Sequence, residues 1–132
     1  MKTEVEKTRY LVVALGGALG AMSRYALSRF VNSLVPFGTV PWGTIVVNTL
    51  GSFAFSYLLF AALERLELPQ EYILFLGVGF LGAFTTFSTL AYEFFALLEE
   101  SFFRSLVYLF LNFLFGFAAA YLGMILGRGK LS

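Results

Sequence analysis

The sequence predicts an all-α membrane protein with four transmembrane helices, the third of them broken. Of its 132 residues, 59% are hydrophobic and 13% are charged, whereas an average soluble domain is about 45–50% apolar and about 25% charged. Four apolar runs follow one another, and each supplies the roughly 20 residues that one crossing needs. We therefore predict a single four-helix transmembrane domain over residues 1–132, with helices at about 10–34, 42–63, 72–98 and 102–126.

The composition also excludes several classes of function. The chain has no Cys and no His, so it lacks thiolate chemistry, imidazole acid–base catalysis and the usual transition-metal ligands. Its net charge of +1 provides no basic field for nucleic acid. We expect a protein that is not an enzyme, has no nucleic-acid partner and functions among its helices in the bilayer.

Stop signals bound the first two helices. The first run begins at Tyr10 and ends in a loop containing Pro36, Gly38 and Pro41, and proline ends a helix because it lacks the peptide N–H. The second run ends in a charged patch, which must face water because charges are costly in lipid. That patch contains Glu64, Arg65, Glu67 and Glu71.

The third run is expected to depart from a straight helix, whereas the fourth is continuous. Gly77, Gly79 and Gly82 precede the segment TTFSTL at residues 85–90. Closely spaced glycines and hydroxyls can free backbone groups from the helix. Irregular backbone at membrane depth persists only where it is buried in protein or lines a wet cavity. The predicted break therefore marks a candidate functional region.

Positive charges are nearly balanced between the two sides of the predicted bundle. Four spans place both termini and the second loop on one side. That side carries Lys2, Lys7, Arg9, Arg65, Arg128 and Lys130, and the other carries Arg24, Arg29 and Arg104. The positive-inside rule favours a cytosolic N-terminus by a small margin. So small a bias is compatible with insertion in both orientations.

The first, second and fourth helices each carry a polar or small-residue stripe. Gly16, Gly20 and Arg24 share one face of the first helix, where the Arg either snorkels beside a packing groove or draws anions. In the second helix, Asn48 has two donors that need partners in hydrocarbon. These donors bind either a neighbouring helix or a permeant anion. Asn112 lies on a face of the fourth helix that otherwise has small residues, and we interpret it first as a contact with a neighbouring helix.

The third helix offers the largest set of candidate residues. Thr85, Thr89 and Glu93 share one face, and Ser88 lies close to it. A carboxylate at membrane depth is costly and rare, so we interpret Glu93 first as a functional residue. The alternatives are an interfacial Glu93 and hydroxyls that bond back to their own helix. Phe87 lies among these hydroxyls, and the electropositive edge of its ring can contact an anion.

Three ordered motifs resemble the fluoride channel family called Fluc or CrcB. They are GGALGAMSRY at residues 16–25, GTIVVNTLGS at 43–52 and GFLGAFTTFST at 79–89, the last followed by Glu93. The resemblance covers nearly the whole chain. It implies a fluoride-selective channel that exports cytosolic fluoride passively across the plasma membrane. It also implies an antiparallel dual-topology dimer with two fluoride pores and a sodium ion at the dimer centre.

The resemblance also implies roles for individual residues. By position, the expected fluoride pore residues are Asn48, Phe87, Ser88, Thr89, Glu93 and Arg24. The backbone carbonyls of Gly82 and Thr85 match those that hold sodium in the family. A cation held by hard oxygen ligands also suits carbonyls freed by a helix break.

Two positions depart from the family pattern. Leu90 stands where a second pore Phe is usual, and Gly116 stands where the fourth helix usually contributes Ser or Thr. Some family members pair unlike subunits with incomplete sites. The partner is therefore either a second copy of this chain or a different subunit that supplies the missing ring.

Two other classes of function fit a short four-helix membrane protein. A proton-coupled small multidrug transporter needs a carboxylate at membrane depth in its first helix, where this chain has Arg24. A non-transporting assembly subunit would leave the clustered hydroxyls of the third helix unexplained.

Overall fold

The computed structural model describes residues 1–35 and 40–130, and these residues form helices joined by short connections. The helices are α1 Lys2–Leu34, α2 Trp42–Glu64, α3 Gln70–Ile73, the π-helix Leu74–Leu81, α4 Gly82–Phe84, α5 Phe87–Glu100 and α6 Phe102–Arg128. Four spans in the described part of the chain are long and apolar enough to cross a membrane: Lys2–Leu34, Trp42–Glu64, Gln70–Glu100 and Phe102–Arg128. This confirms the all-α, four-span prediction. Pro41 directly precedes α2, whereas Pro36 and Gly38 of the predicted loop lie outside the described residues.

Helix α1 begins at Lys2, well before the apolar run. Its first turns are polar and held by local contacts. Lys7 Nζ lies 3.6 Å from Glu4 Oε1, and the Thr8 hydroxyl donates to the Glu4 carbonyl. A helix continues past the edge of the apolar segment when its polar residues are good helix formers.

Backbone-to-backbone contact through glycine joins α1 to the π-helix. A Cβ added at Gly16 would meet the carbonyl of Phe75, and one added at Gly20 would meet that of Phe80. On the facing element, a Cβ at Gly79 would meet the carbonyl of Val13. Small residues permit this approach, and the close packing stabilises helix pairs in lipid, where burial of apolar surface gives no advantage.

Helices α2 and α6 form the most extensive helix–helix contact among the described residues. Gly123 and Gly127 of α6 lie against the α2 backbone. At one end of this pair, Arg128 Nε lies 2.9 Å from Glu64 Oε1, and Arg65 Nε donates to the Gly127 carbonyl over 2.7 Å. A guanidinium at the C-terminus of α6 is favoured by the negative end of the helix dipole.

The third span is broken, as the sequence predicts, and the break lies at Thr85 and Thr86. Thr85 has φ −84° and ψ 158°, and Thr86 has φ −151° and ψ 122°, so both are extended. The glycines do not form the break itself. Gly77 and Gly79 lie in the π-helix, and Gly82 begins α4. Such widened π turns occur frequently at functional sites.

Candidate functional site

A cavity of about 340 Å³ lies beside the break in the third span. Its walls come from α2, the break, α5 and α6. The cavity is lined by both polar and apolar side chains. The main lining residues are Asn48, Thr86, Phe87, Leu90, Asn112 and Phe113.

The carboxamide of Asn48 bridges the broken backbone. Its Oδ1 accepts from the Thr86 peptide N–H over 2.8 Å, and its Nδ2 donates to the Thr86 carbonyl over 3.1 Å. The side chain therefore pairs with Thr86 as a neighbouring strand would. This pairing satisfies both backbone groups of one residue that the helices leave unpaired, and such groups are costly in lipid.

The same arrangement removes the helical donors from the carbonyls of Gly82 and Thr85. In a continuous helix the N–H four residues later would bond to each carbonyl. The N–H four residues after Gly82 is that of Thr86, which donates to Asn48. The N–H four residues after Thr85 is that of Thr89, which donates to the Thr86 hydroxyl over 3.2 Å. The carbonyls of Gly82 and Thr85 therefore lack these helical donors.

A third carbonyl at the break is bound by Arg24. Arg24 Nε donates to the Ala83 carbonyl over 3.0 Å, across 59 residues of sequence. The guanidinium caps the C-terminal end of α4, where a positive charge is favourable. Of the predicted pore residues in the described part of the chain, Asn48 and Phe87 line the cavity. The lining found among the described residues does not include Arg24, Ser88, Thr89 or Glu93.

Hydroxyls cluster at the start of α5. The Thr86 hydroxyl accepts from the Thr89 N–H as the N-cap of α5 and donates to the Thr89 hydroxyl over 3.0 Å. The Ser88 hydroxyl lies 3.4 Å from that of Thr86. Ser and Thr are preferred N-caps because their oxygen satisfies a free N–H. The sequence TTFST thus starts a helix and groups three hydroxyls beside the break.

Glu93 lies two turns further along α5 and is held by two hydroxyl donors. Its Oε1 accepts from the Thr44 hydroxyl of α2 over 2.5 Å and from the Tyr108 hydroxyl of α6 over 2.7 Å. Tyr108 is fully buried and Thr44 is 3% exposed. Glu93 is itself partly exposed, and these two donors hold its carboxylate between α2, α5 and α6.

The comparison with known proteins agrees with the three motifs. The sequence model of a family described as "CrcB-like protein, Camphor Resistance (CrcB)" matches residues 11–124. The chain belongs to the CrcB family. The matched range includes Arg24, Asn48, the break and Glu93, so the candidate site lies within the CrcB match.

CrcB relatives from bacteria and an archaeon carry the name "Fluoride-specific ion channel FluC". The protein of Thermotoga petrophila is 57% identical over 121 residues, which cover 92% of this chain and 95% of that protein. That of Thermosipho melanesiensis is 52% identical over 122 residues, covering 92% and 98%. That of Methanocaldococcus jannaschii is 42% identical over 117 residues, covering 88% and 91%. The resemblance inferred from the motifs is confirmed.

Phe87 and Leu90, the two positions where the resemblance implies a pore Phe, differ in exposure. Phe87 is 71% exposed, whereas Leu90 is 6% exposed and packs in a cluster with Ile45, Leu97 and Tyr108. Both residues also line the cavity. The ring edge of Phe87 is thus free to meet an ion or a second chain, while Leu90 belongs partly to the core.

Gly116, which stands where the resemblance implies a Ser or Thr, lines the cavity. A Cβ built there has its nearest neighbour, Ser52 Oγ, 3.9 Å away. The space for a larger side chain is therefore present. The polar atom that α6 contributes nearest to Asn48 is the carboxamide of Asn112, whose Oδ1 lies 3.4 Å from Asn48 Nδ2.

The CrcB motifs did not lead us to Thr44 and Tyr108 as the partners of Glu93. A weak signal was present in the sequence. Thr44 lies four residues before Asn48, and Tyr108 lies four residues before Asn112. Each pair therefore shares a helix face. Extending the two amide stripes by one turn would have included both hydroxyls.

Proposed function

We propose that this CrcB protein is a fluoride-selective channel that exports cytosolic fluoride passively across the plasma membrane as a multi-pass protein. The observation that carries the proposal is the cavity beside the broken third span, lined by Asn48, Thr86 and Phe87. It occurs in a chain whose relatives are named fluoride-specific ion channels. Fluoride dissociated at cytosolic pH leaves down its own gradient, so the function needs no enzymatic step.

The donors along the break replace the hydration shell of the ion. We assign the fluoride path to Asn48, the edge of the Phe87 ring, and the hydroxyls of Ser88 and Thr89. Each contact is weak enough to release the ion to the next, as conduction requires. Glu93 lies one turn beyond Thr89 on α5. There the hydroxyls of Thr44 and Tyr108, which donate to Glu93, can turn toward a passing anion. Arg24 acts from behind the break, where its charge makes the region electropositive.

A sodium ion is proposed at the break, held by the backbone carbonyls of Gly82 and Thr85. The loss of their helical donors supports this assignment. Carbonyl oxygens are hard ligands that suit sodium. When bound, the ion supplies positive charge to oxygens that lipid cannot satisfy.

Two copies are proposed to associate as an antiparallel dimer. Gly82, Phe87 and Ser88 are exposed on the single chain, although polar backbone at membrane depth must be covered by protein. A second, inverted copy would cover them and bring its own Gly82 and Thr85 carbonyls to the same ion. The nearly balanced charges on the two sides permit insertion in both orientations. We favour a homodimer, with a heterodimer as the alternative.

Fluoride efflux from liposomes that contain only this chain tests the channel proposal. With potassium fluoride inside and valinomycin to balance charge, we expect rapid fluoride release and little chloride release under matched conditions. Release that requires a proton gradient would instead support the multidrug-transporter class. No release from correctly folded protein would contradict the proposed function, unless a second, different subunit restores it.

Sodium and topology have separate tests. Replacing sodium with N-methylglucamine should lower the thermal stability of the purified dimer if Gly82 and Thr85 hold the ion, and readdition of sodium should restore it. Disulfide crosslinking of single cysteines near the two ends of the dimer interface distinguishes antiparallel from parallel subunits. A dimer stable without sodium, or one with parallel crosslinks, would overturn the corresponding proposal.

A further inference from the structure

A second carboxamide, that of Asn112 on α6, lies next to Asn48 at the wall of the cavity. Asn112 Oδ1 lies 3.4 Å from Asn48 Nδ2, and Asn112 is only 5% exposed. Both residues line the cavity beside the break. Two amide groups therefore meet where the proposed function places the ion.

The hydrogen-bond capacity of the two amides is unequally used. A carboxamide has two N–H donors and one acceptor oxygen. Asn48 commits its oxygen and one donor to Thr86 over 2.8 and 3.1 Å. Its contact with Asn112, at 3.4 Å, lies near the limit for a hydrogen bond. The donor of Asn48 that the break does not need is thus the one covered by the oxygen of Asn112.

The bond made by the nitrogen of Asn112 is also replaceable. Asn112 Nδ2 donates to the carbonyl of Tyr108 over 3.0 Å, one turn earlier in the same helix. That carbonyl is the ordinary helical acceptor of the Asn112 peptide N–H. Breaking the side-chain bond therefore leaves no backbone group unpaired.

We propose that Asn112 is a second anion ligand of this channel and that its carboxamide turns over when fluoride binds. The proposal rests on the proposed fluoride function. In the empty site, the oxygen of Asn112 satisfies the free donor of Asn48 and repels anions. Rotation of the amide by about half a turn exchanges oxygen for nitrogen. Two N–H donors then face one anion, which offsets part of its lost hydration.

Two uncharged substitutions separate this role from a purely structural one. Asn112→Val removes both the oxygen that accepts from Asn48 and the N–H donors. Asn112→Ser loses the reach toward Asn48 but keeps one donor facing the cavity. A structural role through the contact with Asn48 predicts that both variants lose flux alike, whereas a ligand role predicts that only the Val variant does.

The first experiment measures fluoride efflux from liposomes for both variants and for Phe110→Leu. Phe110 is a control on the same helix that does not line the cavity and is 62% exposed on the single chain. We expect Asn112→Val to lose about 10- to 100-fold in flux, the effect of one hydrogen bond to a charged group. Asn112→Ser and Phe110→Leu should stay within about threefold of the wild type, a loss below one such bond. Wild-type flux in a folded Asn112→Val dimer, or equal loss in the Val and Ser variants, would overturn the proposal.

The second experiment observes the amides directly, without transport. The chain contains three Asn residues, Asn32, Asn48 and Asn112, so selective ¹⁵N-asparagine labelling gives three pairs of side-chain amide signals. Titration with sodium fluoride should shift Asn48 and Asn112 with one shared saturation curve. Asn32, which caps α2 by accepting from the Gly43 N–H, should stay unchanged. A shift of Asn48 alone would refute Asn112 as a ligand.

The two experiments distinguish failure of this inference from failure of the proposed function. Absence of wild-type fluoride efflux would count against the channel itself. Equal amide shifts with sodium chloride would uphold Asn112 as an anion ligand and count against fluoride selectivity. Normal wild-type efflux with no amide shift at Asn112 would leave the channel standing and overturn the inference.

Discussion

Replacing Asn48 with Leu tests whether its amide holds the broken third span together. The substitution preserves side-chain volume but removes the two bonds to Thr86 and the one to Asn112. The Thr86 N–H and carbonyl are then left unpaired within the bundle. Each buried unsatisfied group costs about 1–3 kcal/mol, so we expect a total loss of about 2–6 kcal/mol in the free energy of unfolding.

The assay is reversible denaturation of the purified protein in detergent micelles. The chain has one Trp, and Trp42 packs against the buried cluster, so its fluorescence reports unfolding. Asn32→Leu is the matched control, because it makes the same chemical change but removes one cap bond, that from the Gly43 N–H. The expected loss for the control is about 0.5–2 kcal/mol.

The comparison of the two Leu variants decides whether Asn48 bridges the break. An Asn48→Leu protein no less stable than Asn32→Leu would refute the bridging role. Fluoride efflux should also be abolished in Asn48→Leu, because the second N–H donor of Asn48, which Thr86 does not use, is proposed to bind the ion. Efflux is normalised to folded dimer and measured well below the unfolding temperature.

Three further predictions concern the cavity and the glycine contact. Phe87→Leu should lower fluoride efflux sharply, while Leu90→Phe should retain it because the larger ring can turn into the cavity; equal insensitivity of both would exclude the ring from the ion path. Gly116→Ser should fold with an unchanged melting temperature, since the nearest atom to its new Cβ, Ser52 Oγ, is 3.9 Å away, and a marked drop would show that the cavity wall is closed there. Gly20→Val should lower stability by about 1–3 kcal/mol or more in the denaturation assay, because its Cβ meets a carbonyl of the π-helix; wild-type stability would refute that contact.

The hydropathy of the sequence predicted the four spans because each apolar run can satisfy its backbone only as a helix in lipid. The break was predicted from glycines and hydroxyls, but its position was less accurate. Glycine permits many conformations, and here Gly77 and Gly79 serve a wide helical turn and close packing. The extended residues are Thr85 and Thr86, where the Asn48 side chain replaces the missing helical partners.

Contacts between helices could not be predicted from one sequence. Periodicity shows which residues share a face of one helix, but it does not give the rotation of that helix relative to its neighbours. The motifs therefore identified Glu93 without its donors Thr44 and Tyr108. They also included Arg24 among the expected pore residues, but they did not indicate that its Nε donates to the Ala83 carbonyl at the break.

The extensive contact between α2 and α6 has a consequence for biosynthesis. The ribosome releases α6 well after α2, so the face of α2 that receives Gly123 and Gly127 stays without its partner until α6 has been made. Tyr108, whose hydroxyl donates to Glu93, also lies in α6 and is therefore synthesised after Glu93. A product truncated before α6 would expose the polar break to lipid. Such a chain is expected to be retained by insertion chaperones or degraded, because unpaired polar backbone is costly in the bilayer.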